Sequence, residues 1–211
     1  MIDKFICVHI LKTAGTTLRE NFLKPVYGES CLIDMSFKLK NKERNKEIKI
    51  KRLVDLENQS YPPDYENYDV IFGHFKGDKY IHLNRPMFSF VRHPVDRMVS
   101  NYHFFIRGNV FNRDNYKAPS LLEFSKKWRN HMTYVLGDIS KYEYIGVVEH
   151  FEKSLERMCN ILGVDCPSNI KSKRVNKAHV PDKISKDIRK EIEDMNLKDM
   201  ELYNEVINKF H

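Results

Sequence analysis

Apolar residues along the chain fall into short continuous runs, separated by stretches whose apolar positions recur at helical spacing. Phe5–Ile10 reads as a buried strand, with a small-residue turn after it and a helix from about Thr16 to Leu23, stopped at Pro25. "YPPDYEN" reads as a loop. Tyr68–Phe75 is a second strand ending in Gly-His. Pro86–Pro94 is a third, and Pro94 sits in the first turn of the helix "VDRMVSNYHFFI". "SLLEFSKKWRNHMTYVL" predicts one or two helices, and Tyr142–His150 a fourth strand. "FEKSLERMCNILG" is an amphipathic helix closed by Gly163, and Ile184 to Phe210 forms two charged helices. Strands alternating with helices predict an α/β fold with a central parallel sheet of about four to five strands, covered by helices on both faces. Ligands of such sheets bind beyond the carboxyl ends of the strands. Lys12–Thr17, His74 and Arg92 all fall there.

At 211 residues the chain reads as a single domain, 1–211, with a basic insert or helix at 38–52 and C-terminal helices at 181–211. No apolar window is long enough for a membrane span, and the N-terminus lacks a secretory cleavage pattern. Cys7, Cys31, Cys159 and Cys166 show no C-x-x-C spacing and read as free thiols of a cytoplasmic protein. The net charge of +7 favours an anionic partner. Much of the excess lies in "KLKNKERNKEIKIKR", Lys38 to Arg52, which has no aromatic residues to stack on bases. Nucleic acid is therefore not expected as a partner. That stretch reads either as a solvated face or as a surface that steers an acidic acceptor.

The turn after the first strand has the outline of a phosphate loop. Gly15 lets backbone amides approach an anion, the helix that follows adds partial positive charge, Thr16 and Thr17 add hydroxyls, and Lys12 adds a full charge. The Walker pattern G-x-x-x-x-G-K-[ST] is absent, and Lys12 precedes the glycine. An N-capped tight turn would look similar. Arg92 ends the third strand and Ser100 follows eight positions later, so the two can converge on one phosphate. Otherwise Arg92 would pair with Asp96, and Ser100 would be a small packing residue. Glu149 could position an acceptor or anchor the next helix, and Trp128 reads as core. No histidine spacing supports a metal site.

"KTAGTTL" and "VRHPVDRMVSNY" together resemble the two cofactor-binding segments of sulfotransferases that use 3′-phosphoadenosine 5′-phosphosulfate (PAPS). "GHF", "FVRHPVDRMVSNYHFFIRG", "NHMTYVLG" and "YIGVVEHFEKSLERM" resemble, in that order, the carbohydrate branch of heparan and dermatan/chondroitin sulfate O-sulfotransferases. The resemblance runs from about Phe5 to Leu162, with a weaker echo at "KRVNKAH". It implies a P-loop-like three-layer fold with a helical C-terminal tail, PAPS as cofactor with 3′-phosphoadenosine 5′-phosphate (PAP) as product, and no metal. Lys12, Thr13, Ala14, Gly15, Thr16, Thr17 and Leu18 would hold the 5′ side, and Arg92 and Ser100 the 3′-phosphate. Arg174, Asn176 and Lys177 would add to the 3′-phosphate or adenosine contacts. His74 would act as general base toward an acceptor hydroxyl, expected on a carbohydrate, and Lys12 would stabilise the leaving group. Two other readings are a nucleotide or small-molecule kinase with an aberrant loop, and a non-catalytic basic module that binds polyanions.

Overall fold

The structure, a computed structural model, describes residues 2–35, 60–107, 118–167 and 184–211. Five strands form one sheet: β1 (Phe5–Val8), β2 (Cys31–Met35), β3 (Val70–His74), β4 (Met87–Val91) and β5 (Tyr142–Val147). Their order is β2-β3-β1-β4-β5, and every neighbouring pair is parallel. β1, β3 and β4 are buried along their length, apart from His74 at the end of β3. That is why their sequences read as continuous apolar runs rather than alternating ones.

Both faces are covered. Phe5 packs edge-on against Tyr27 and Phe88 at 5.4 and 5.3 Å on one face. Tyr27 belongs to the helical run after β1, which comprises α1 (Gly15–Leu18), a π turn over Arg19–Leu23, and α2 (Lys24–Tyr27). On the other face Tyr142, whose register partner is Met87, donates its hydroxyl to Leu136 O of α5 (His131–Leu136). A second apolar cluster sits beside the sheet. It joins Val95, Met98, Val99 and Phe105 of α3 (Pro94–Arg107) to Phe124 of α4 (Leu121–Lys127), Trp128, and Ile192 of α7 (Lys186–Met195). Trp128 is a core residue, as its sequence context suggests.

The C-terminal helix α8 (Leu197–Phe210) fastens this cluster to the sheet through side chains that cap a neighbour's backbone. Asp199 accepts from Met132 N, Thr133 N and Thr133 Oγ1 at the start of α5. Asn130 returns the arrangement by accepting from Lys198 N and Asp199 N at the start of α8. Each helix thus satisfies leading amides of the other that would otherwise be orphaned.

Several boundaries differ from the sequence reading. β1 ends at Val8 rather than Ile10, because the chain turns at Lys12, which adopts a left-handed φ of 72°. The first helix passes through Pro25 to Tyr27. After the π turn, Pro25 falls in the first turn of α2, where its missing N–H costs nothing. β5 stops at Val147 because the Ser154 hydroxyl of α6 (Phe151–Leu162) takes both the N–H and the carbonyl of that residue. The edge strand β2 carries no alternation and escaped the sequence reading. All four cysteines are free thiols. No helix among the described residues is long and apolar enough to cross a membrane. The basic stretch 38–52 lies outside the described residues.

Candidate active site

Three adjacent strands, β3, β1 and β4, end on the same edge of the sheet, and each delivers one predicted segment. Neighbouring strands lie about 4.8 Å apart. His74, the Lys12–Thr17 turn and Arg92 therefore stand side by side along this edge, with the turn in the middle. The strand order also reverses direction here, since β1 leads to one side of the sheet and β4 to the other.

The central turn is held open by its own backbone. His9 N–H donates to Gly73 O at 2.8 Å, extending the ladder by one bond before the chain leaves it. Lys12 and Ala14 both take left-handed φ, 72° and 60°, the kind of local strain that concentrates at ligand-binding turns. Thr13 is buried and spends its hydroxyl on Ile10 O at 2.9 Å, bracing the turn from inside. Leu18 is core, and its amide already donates to Ala14 O. Thr17 is also buried and Thr16 is exposed, so the helix start presents its leading amides and the Thr16 hydroxyl to the surface.

Gly15 has a specific steric reason. A Cβ there would run into the imidazole of His9. Gly15→Ala is therefore expected to displace either the turn or the His9 ring, and with it the affinity of the turn for any anion. Circular dichroism and a binding titration check this together.

His9 was not singled out in the sequence, since it follows an apolar run and matches no motif. Its ring lies 5.2 Å from Phe72 and 4.5 Å from His74, and burial, followed by the His74, Arg19 and Lys12 charges, holds its pKa well below the usual value. Its carbonyl also orients the predicted base. His74 Nδ1 lies 2.8 Å from His9 O, and a carbonyl can only accept, so Nδ1 carries the proton and Nε2 the lone pair. Burial lowers the His74 pKa to about 4, outweighing the opposing pull of the His9 carbonyl bond. At neutral pH the ring is an uncharged, tautomer-fixed base.

These shifts imply an acid-sensitive fold. Between pH 6.5 and about 4 the unfolded chain takes up protons that His74 refuses in the folded state. His131, lowered to about 3 by burial and then by Arg97, acts in the same direction. Stability should be flat with respect to these groups above pH 6.5, fall as pH drops through 4, and level off below about 3. Urea denaturation at stepped pH would show the slope.

Arg92 is half-buried and makes no hydrogen bond or ion pair with any described residue. Asp96, the partner that ordinary pairing would supply, is instead engaged by Arg189 of α7 at 3.0 Å. The backbone beside Arg92 is fixed by Glu149, which accepts from His93 N–H at 2.8 Å and from Tyr203 OH at 3.2 Å. Glu149 is thus an anchor that ties the Arg-His-Pro turn to β5 and α8. Ser100 is half-buried on α3, about 9 Å along the axis from Pro94, within a span that an extended arginine can meet. Lys12 places its ammonium 4.7 Å from the Phe104 ring of the same helix. Arg174, Asn176 and Lys177 lie outside the described residues.

The turn offers backbone amides and Lys12, and the neighbouring strand end offers Arg92, so positive groups stand at two places along this edge of the sheet.

A sequence profile of the sulfotransferase family matches residues 2–204. Among solved structures, a sulfotransferase from Alicyclobacillus acidocaldarius superposes with a TM-score of 0.50 at 13% identity, covering 95% of this chain and 94% of that one. Mouse sulfotransferase SULT7A1, complexed with PAP, aligns at 14% identity and a TM-score of 0.44, covering 95% of this chain and 66% of its own. Among curated protein sequences none matches. With a family profile spanning nearly the whole chain, and the α/β fold of a sulfotransferase beneath it, this chain belongs to the sulfotransferase family.

Proposed function

We propose that the protein transfers a sulfuryl group from PAPS to an acceptor hydroxyl on a carbohydrate, with His74 as general base. The observation that carries this reading is the His74 geometry. A neutral imidazole, locked by the His9 carbonyl with its lone pair on Nε2, stands beside the phosphate-loop turn on the neighbouring strand. The ordered motifs shared with glycan O-sulfotransferases favour a carbohydrate acceptor.

PAPS supplies a sulfuryl group already bonded to a good phosphate leaving group. The chain supplies the rest. His74 Nε2 accepts the hydroxyl proton as the acceptor oxygen bonds to sulfur, a role that contributes about 10²–10⁴-fold. Lys12 would stabilise the negative charge that collects on the phosphate oxygen as it keeps the electron pair of the breaking S–O bond. The amides of the turn, with Thr16, hold the 5′ end, while Arg92 and Ser100 hold the 3′-phosphate. Arg92 suits that task because its guanidinium is permanently charged and presents a planar fork of donors. Glu149 keeps Arg92 aimed by fixing the next residue.

The test is transfer itself: purified protein, PAPS, and a panel of hydroxyl acceptors that includes neutral and acidic sugars, phenols and tyrosine peptides. Sulfated sugar product supports the reading. Sulfation of phenols or tyrosine alone removes the carbohydrate assignment, and no product with any acceptor, together with no PAP binding, removes the whole.

A further inference from the structure

One group of buried side chains takes no part in this scheme. Arg97 and Asn101 are completely enclosed, and His131 is 9% exposed. Their spacing places Arg97, Asn101 and Phe105 on one stripe of α3. That stripe lies along residues 128–133. Phe105 meets the Trp128 ring at 5.4 Å, Trp128 meets His131 at 5.1 Å, and Arg97 approaches Asp199, which caps Met132 and Thr133, at 3.7 Å. Asn101 therefore lies across from His131.

None of the side-chain nitrogen and oxygen atoms of Arg97, Asn101 or His131 has a hydrogen-bond partner among the described residues. Buried polar groups are almost always satisfied, so three neighbouring exceptions call for something that fills them. Asp199 does not, because its distance of 3.7 Å to Arg97 exceeds hydrogen-bond reach. The unmet capacity is mostly donor. It comprises a guanidinium, an amide NH₂ and the single N–H of a neutral imidazole. Asp199 offsets the Arg97 charge from 3.7 Å without meeting its N–H groups, and the excess of donors left over selects an anion over a cation. Complete enclosure of Arg97 and Asn101 excludes a sugar or nucleotide, so the occupant is a single small ion or molecule.

We propose that Arg97, Asn101 and His131 form a buried site for one halide ion, chloride in ordinary buffers. The ion bridges α3 to α5 and so steadies the helix that carries Ser100 and follows Arg92. The site stands apart from the sulfuryl-transfer reading and survives if that reading fails.

Trp128 is the single tryptophan of the chain and borders the site, so it reports occupancy directly. It is 4% exposed and thus shielded from collisional quenching. Titrating bromide against gluconate at constant ionic strength should quench its fluorescence saturably, and raise Tm by on the order of 5 °C at saturation. Both effects should disappear in Asn101→Leu. Crystals of the unsubstituted chain grown in sodium bromide should show an anomalous peak between Arg97 and Asn101, an arm that needs no variant to fold. Quenching linear in bromide, quenching unchanged in Asn101→Leu, or anomalous peaks only at the surface would mean that water fills the site, and would overturn the proposal.

Discussion

Replacing His74 by alanine should lower kcat by about 10²–10⁴-fold while leaving the affinity for PAP within about twofold. The split follows from where the imidazole sits. It ends β3, one strand away from the turn that would hold the 5′ end, and its Nδ1–H reaches the chain just after β1 at the His9 carbonyl. Removing it deletes a proton acceptor and leaves the Lys12–Thr17 backbone and Arg92 in place. The pH profile gives a second view of the same role. With a pKa lowered to about 4 by burial, the ring stays neutral across the usual range, so the acid limb of kcat/KM should appear only as pH approaches 4. A limb near 6.5 would mean that the base is a more exposed group. Joint loss of PAP affinity and turnover in His74→Ala would make His74 a scaffold residue instead.

Arg92→Ala should weaken PAP about 100-fold, roughly 2.7 kcal/mol, and should barely change the affinity for adenosine 5′-monophosphate. The contrast isolates the 3′-phosphate. Arg92 has no partner among the described residues, since Asp96 is occupied by Arg189, so its removal breaks no internal bond and leaves no orphaned carboxylate. Arg92→Lys should recover only part of the loss, because an ammonium keeps the charge but not the two-pronged geometry. Calorimetric titration of both nucleotides into the three proteins measures each term. Equal weakening for both nucleotides would show that Arg92 holds the 5′ side or the fold rather than the 3′-phosphate.

The sequence was most informative where burial is complete on both faces of the sheet. β1, β3 and β4 announced themselves as apolar runs, and their ends carried the Lys12 turn, His74 and Arg92 as expected. β2 was less visible because it is a short edge strand, with Asp34 inside it and pairing on one side only. Pro25 misled because a π turn resets the hydrogen-bond register before it, which local propensity cannot foresee. Three further relations became visible only in three dimensions. His9 orients His74 from 65 positions away through a backbone carbonyl, which leaves no trace in side-chain type. Glu149 reaches the amide next to Arg92 from 56 positions away. The Arg97 cluster depends on how α8 caps α5, a relation that no local pattern encodes.

A calorimetric titration of the unsubstituted protein with PAP, with and without Mg²⁺, tests the central claim most directly. The account predicts a single site per chain, indifferent to the metal, and about 100-fold tighter for PAP than for adenosine 5′-monophosphate. No heat with PAP, or binding confined to Mg²⁺–ATP, would contradict it.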